Sequence, residues 1–161
     1  MKKLFTLLVI LSVSIVNAQA YKGKGDVKAQ VGMTIQNKLT GIQVSSDFGI
    51  GENMSFGFVG SYLLGASGFE IGDVKFKDRA DLKARFNANL GNVFGLDEKM
   101  DIYPGLNLGL KNFGAHLGFR YFFTDGFGVF TEAGIPIAKY ESNGATSNNQ
   151  FVLALGASFN L

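Results

Sequence analysis

The 161-residue chain is 47% hydrophobic and 17% charged, with 22 Gly, 2 Pro, no Cys and no Trp. One ordinary domain fits this length, and the composition excludes collagen-like, disulfide-stapled and wholly disordered chains. The formal charge of +2 comes from Lys2 and Lys3, because the rest of the chain carries 13 basic and 13 acidic residues; a neutral chain has no electrostatic reason to bind nucleic acid.

The first element is Met1-Lys2-Lys3 followed by an apolar run from Leu4 to Val16, broken only by Thr6, Ser12 and Ser14, and then Asn17-Ala18-Gln19-Ala20. A short basic stretch, an apolar stretch and small residues at Ala18 and Ala20 read as a secretory signal peptide over residues 1–20. The run is shorter than the roughly 20 residues a membrane-spanning helix needs. Cleavage fits after Ala18 or after Ala20. No Cys follows, which excludes a thioether-linked lipid anchor, and nothing in the exported chain waits on a disulfide.

Residues 21–161 then alternate with period two in eight segments, as half-buried strands do. Val27 to Ile35 opens the series, and Ile42, Val44, Phe48 and Ile50 alternate with Gln43, Ser45, Asp47 and Gly49. Phe56, Phe58, Tyr62 and Leu64 follow. The clearest segment sets Ala80, Leu82, Ala84, Phe86, Ala88 and Leu90 against Arg79, Asp81, Lys83, Arg85, Asn87 and Asn89. Ile102 to Leu110, Leu117 to Phe123, Phe127 to Ile135 and Phe151 to Leu161 complete the set. Gly51-Glu52-Asn53, Lys111-Asn112 and Thr124-Asp125-Gly126 predict tight hairpins. Two connections are longer, 65–78 and 138–150, and an up-and-down order puts both on the side opposite the termini.

Eight antiparallel strands of about ten residues predict a closed barrel, which leaves no sheet edge unpaired. A soluble barrel turns its apolar face inward and a membrane barrel turns it outward. Here the polar face is rich in glycine, including Gly32, Gly57, Gly105, Gly118, Gly134 and Gly156. A crowded eight-strand interior needs small residues, whereas a solvated exterior carries long charged ones. The apolar face has no charge, and its aromatics gather at strand ends: Phe48, Phe94, Phe123, Phe127 and Phe159 at one, Tyr62 at the other. The expected fold is therefore all-β, an eight-stranded antiparallel up-and-down transmembrane β-barrel preceded by a cleavable signal-peptide helix. Its domains are 1–20, the signal peptide, and 21–161, the barrel.

The last strand, Phe151-Val152-Leu153-Ala154-Leu155-Gly156-Ala157-Ser158-Phe159-Asn160-Leu161, brings the chain close to a known class. Residues 24–161 resemble the small eight-stranded outer-membrane β-barrel proteins of Gram-negative bacteria, of the OmpX and OmpA-barrel kind. Those proteins end on such a strand, most often on Phe, and the barrel assembly machinery reads it as an insertion signal; here Phe159 and Leu161 occupy those places. The resemblance implies an outer-membrane location, lipid and lipopolysaccharide as surroundings, and a monomer. It does not fix a task, since members act as anchors, adhesins, serum-resistance factors or enzymes.

Some barrels of this class remodel lipopolysaccharide with a His-containing site, so His116 has to be weighed. Pairing Phe123 with Phe127 in their hairpin sets Gly118 opposite Glu132, with His116 and Arg120 flanking Glu132 on one face. Gly118 stands where a nucleophilic Ser would follow His116, and the face points inward rather than to lipid. His116, Arg120 and Glu132 are read as a lumen polar cluster, with no catalytic residue, no cofactor and no metal ligand set expected. The inward set holds Lys28, Arg79, Lys83, Arg85 and Arg120 against Asp26, Asp47, Asp81, Asp101 and Glu132, a balance that predicts internal ion pairs and a lumen closed to ions. The basic run Lys75-Phe76-Lys77-Asp78-Arg79 reads as a solvated loop tip. The function expected is that of a small non-enzymatic outer-membrane β-barrel, structural or surface-interacting through loops 65–78 and 138–150. The alternative is a soluble periplasmic β-barrel binding a small apolar ligand.

Overall fold

A computed structural model describes residues 19–36, 39–65, 76–140 and 150–161. The first 18 residues of the expected signal peptide and the tips of both long loops lie outside them. Alternating sequence becomes eight strands in chain order: β1 (Val27–Gln36), β2 (Leu39–Gly49), β3 (Met54–Gly65), β4 (Ala80–Ala88), β5 (Met100–Gly109), β6 (Asn112–Phe122), β7 (Phe127–Lys139) and β8 (Val152–Asn160). Each pairs antiparallel with the next, and β8 returns to β1 from Lys28↔Asn160 to Ile35↔Leu153, closing the barrel. The connections β2–β3, β4–β5 and β6–β7 share the rim with both termini, and the other four turns form the far rim.

Period two fixes which side chains share a face. The inward set is polar: Lys28, Gln30, Asp47, Arg85, Asn87, Asp101, His116, Arg120 and Glu132 are all buried. The outward set is apolar and exposed, with Val31, Val44, Phe58, Leu82, Leu108, Leu117, Val129 and Leu155 among it. The molecule is thus a water-soluble protein turned inside out, and its core is the lumen.

Two local readings need correction. Asn112 opens β6 rather than the preceding turn. Residues 89–99 form a third long connection, on the terminus side, where β4 was expected to run on to Leu90. Leu90 still donates to Ile102 O at 2.9 Å, but Phe94 N then reaches back to Leu90 O at 3.0 Å and Leu96 N to Gly91 O at 3.0 Å. The backbone coils there, and Gly95 closes the coil at φ +64°, a left-handed conformation that glycine adopts without a Cβ clash. On the far rim, Phe76–Arg79 makes one helical turn, α1, whose Phe76 ring lies 5.4 Å from that of Tyr62.

Candidate functional site

Among the described residues two surfaces are sharply distinct, the packed polar lumen and the apolar exterior. At the centre of the lumen Arg85 is 1% exposed. Its Nε donates to Asp47 Oδ1 at 2.5 Å, its Nη2 to Asp47 Oδ2 at 2.5 Å, and its Nη1 to Glu132 Oε2 at 2.9 Å. Nη2 also reaches Gln30 Oε1 at 3.0 Å and Ser45 Oγ at 3.2 Å. One guanidinium on β4 therefore ties β1, β2 and β7 together across the barrel. Its planar fork suits this work, since it holds a carboxylate at two points with further donors to spare.

Arg120, wholly buried, is held differently. It lies 3.6 Å from Asp47 Oδ2 and 3.6 Å from Asp101 Oδ2, and its guanidinium carbon sits 3.9 Å from the centre of the Tyr103 ring. Charge and the ring's negative face do the holding. Gly118 faces Tyr103 in the β5–β6 ladder, and a Cβ at Gly118 would collide with the Tyr103 ring. Gly105 stands in the same relation to His116. Glycine on the polar face is what lets the next strand carry a large side chain in so narrow a lumen.

The ladder sets Gly118 opposite Glu132, but the expected partnership of Glu132 with Arg120 and His116 is corrected by the cross-lumen geometry. Glu132 pairs with Arg85, and His116 Nε2 lies 2.8 Å from Asn87 Oδ1. Asn87 Nδ2 donates to Ser55 Oγ at 3.0 Å, Ser55 Oγ to Asn89 Oδ1 at 3.0 Å, and Asn89 Nδ2 to Asp101 Oδ2 at 2.8 Å. Asp101 also accepts from the backbone N–H of Gly91 at 3.1 Å. Asp101 accepts every bond it makes, and so orients the whole chain of amides and hydroxyl: His116 donates from Nε2. Sequence reasoning missed Arg85, Asp47 and Tyr103 as the centre, and their only signal was inward parity on three separate strands. Lys28 completes the terminus side, 2.5 Å from Asp26 and 5.4 Å from the centre of the Phe122 ring.

The far-side half of the lumen is looser. A cavity of about 50 Å³ lies between Gln43, Leu63, Asp81, Lys83, Asn107 and Glu132. This is room for a few waters, against the several hundred Å³ of small-molecule sites. Lys83 Nζ stands 3.5 Å from Asp81 Oδ2. Arg79 ends α1 at the rim above.

On the exterior, Tyr121, Phe123, Phe127 and Phe159 form a run of rings at the terminus-side rim, with successive centres 5.2, 6.2 and 5.7 Å apart. Phe159, one of the two residues expected to serve as an insertion signal, is the last ring of that row. Leu161 is 82% exposed, its N–H donating to Val27 O at 3.0 Å. Among the described residues no helix is long and apolar enough to cross a membrane, and no group of three or more His, Cys, Asp or Glu could hold a metal ion.

The sequence matches a family described as "Family of unknown function (DUF6646)" over residues 11–161. The chain belongs to DUF6646. No curated protein matches it. Among solved structures, one from "De novo design of transmembrane beta-barrels" is similar at TM-score 0.59 and 9% identity, covering 87% of this chain and 98% of the design. De novo designed TMB2.3, solved by solution NMR, is similar at TM-score 0.47 and 14% identity over 87% of this chain and 97% of that one. The first of these likenesses carries the eight-stranded closed-barrel fold to this DUF6646 member at an identity too low to carry anything more.

Proposed function

We propose that this DUF6646 protein is a small, non-enzymatic outer-membrane β-barrel, close in kind to the OmpX-like barrels, with a lumen closed to ions. It is exported by its signal peptide, assembled by the barrel machinery through Phe159 and Leu161, and set as a monomer in outer-membrane lipid and lipopolysaccharide. Loops 65–78 and 138–150 face the exterior, where it serves as a structural or surface-interaction protein.

One observation carries this reading, the inside-out partition of the side chains. In water, the exposed ring of Val31, Val44, Phe58, Leu82, Leu108, Leu117 and Leu155 would be an apolar surface far beyond what soluble monomers tolerate. In lipid the same ring is the solvent-matched face, and closure satisfies every strand's backbone bonds internally. The soluble ligand-binding alternative needs an apolar cavity, whereas the lumen is filled by ion pairs and leaves about 50 Å³.

Fractionation and heat-modifiable migration test the proposal. A folded membrane barrel resists SDS, so unboiled protein from the outer-membrane fraction is expected to migrate apart from the boiled sample. Recovery in the soluble periplasmic fraction with identical migration in both lanes would overturn it.

A further inference from the structure

Residues 19–26 run along the terminus-side mouth of the barrel, with Ala20, Tyr21, Gly23 and Asp26 buried and Lys22, Lys24 and Gly25 exposed. Ala20 is 0% and Tyr21 4% exposed. The Ala20 N–H donates to Glu98 O at 2.6 Å, pinning the segment to the 89–99 connection. The Gln19 carbonyl accepts from Asn160 Nδ2 at 3.4 Å, at the end of β8. Tyr21 Oη donates between Gly51 O at 2.9 Å and Met54 O at 2.6 Å, across the β2–β3 turn. Gly25 N then reaches Gly49 O at 2.8 Å. Two connections of one rim and the end of β8 are held by one short stretch of chain that no ladder includes.

This bears on a choice the sequence leaves open. Small residues at Ala18 and Ala20 both suit a signal peptidase, and the two cuts leave different N-termini. Cutting after Ala20 would discard the buried Ala20 methyl group, the Ala20 N–H that Glu98 O accepts and the Gln19 carbonyl that Asn160 uses. It would also place the new ammonium on Tyr21, whose side chain is held in the mouth through its hydroxyl. Cutting after Ala18 keeps every one of these contacts and puts the ammonium on Gln19, which is half-exposed.

We infer that processing occurs between Ala18 and Gln19, and that Gln19-Ala20-Tyr21 is retained as a clasp over the mouth of the mature barrel. The step is a hydrolysis: the Ala18–Gln19 C–N bond breaks, and one water gives its hydroxyl to the Ala18 carbonyl carbon and a proton to the Gln19 nitrogen. The inference rests on the export reading above. N-terminal sequencing and intact mass of the wild-type protein from the outer-membrane fraction test it. A chain beginning at Gln19 is expected. One beginning at Tyr21 would overturn the clasp while leaving export intact, whereas a chain still beginning at Met1 would overturn both.

A variant that joins Ala18 directly to Tyr21, lacking Gln19 and Ala20, tests the contribution of the two residues. It is expected to convert from the folded to the unfolded gel position at a temperature several degrees below wild type. Ala20→Glu, which keeps the length and the N–H but cannot bury its side chain, should move in the same direction. Unchanged conversion temperatures in both variants would overturn the clasp.

Discussion

The two halves of the lumen are built from the same alternating strands and filled by opposite means. Toward the termini, Arg85, Asp47, Arg120, Asp101 and Tyr103 interlock with almost no solvent-accessible surface. Toward the far rim, Asp81 and Lys83 stand 3.5 Å apart beside a small cavity. The difference teaches that charge balance alone does not make a plug. What makes one is reach: a guanidinium long enough to cross the barrel, fixed by carboxylates on other strands, next to glycines that leave it room. A lysine paired with a carboxylate two residues along its own strand ties nothing across.

The largest expected effect therefore comes from Asp47→Ala. Asp47 touches both Arg85 and Arg120, so removing it leaves two buried cations short of a partner. Breaking a buried pair in this way costs about 3–5 kcal/mol. Glu132→Ala should cost less, because Arg85 keeps Asp47. Urea-induced unfolding from lipid vesicles measures both, and equal losses would mean that Asp47 is not the hub.

Next in size is a change on the other face. Leu155 is 46% exposed on β8 between Met33 and Thr131. Leu155→Arg should lose about 2–4 kcal/mol for a side chain near the bilayer midplane, read from the same vesicle titration. Unchanged stability in lipid would show that Leu155 does not face the acyl chains.

The far-side half should respond more weakly. Lys83→Ala removes a lysine that is 19% exposed from a carboxylate that is 1% exposed, and with a cavity beside Asp81 wide enough for water it is expected to cost about 1–3 kcal/mol; a loss as large as that of Asp47→Ala would erase the contrast between the halves. Planar-bilayer recording sharpens the same point: the wild-type protein should show no long-lived unitary conductance, since the Arg85 layer closes the path whatever the far side admits.

A further small effect is alkaline. Burial, with the Asp26 and Asp101 carboxylates nearby, pushes the Tyr21 phenol up to about 12, above its free value of about 10. The neutral phenol is the hydrogen-bond donor, so its contribution is complete below pH 10 and is lost as pH rises toward 12. Alkaline titration of tyrosinate absorbance should show a late component that Tyr21→Phe removes, with a stability loss near 1 kcal/mol below pH 10. A titration in which Tyr21→Phe removes an ordinary early component would put Tyr21 in open solvent.

The barrel itself was legible because period two and hairpin chemistry are local signals. Alternation marked the outward Val31, Phe58 and Leu155, and Thr124-Asp125-Gly126 set Gly118 against Glu132. The centre of the lumen was less legible. Hairpin register states which residues are neighbours in the sheet, but Arg85 finds Glu132 three strands away by crossing the interior, and no sequence spacing encodes that distance. The 89–99 connection was hidden for a different reason. Asn89 and Leu90 continue the alternation of β4, and the coil after them is made by backbone bonds from Phe94 and Leu96 that composition does not announce.

The β1–β8 ladder has a consequence for how the chain folds. Every other ladder joins consecutive strands and closes a short loop, but Lys28–Ile35 must find Leu153–Asn160 at the opposite end of the chain. That one pairing closes by far the longest loop in sequence, and non-local pairing of this kind is slow. Until it forms, the sheet is open and displays two unpaired edges, β1 and β8. A free peptide with the sequence of β8 would compete for the β1 edge during that interval, and would be excluded once the seam has closed.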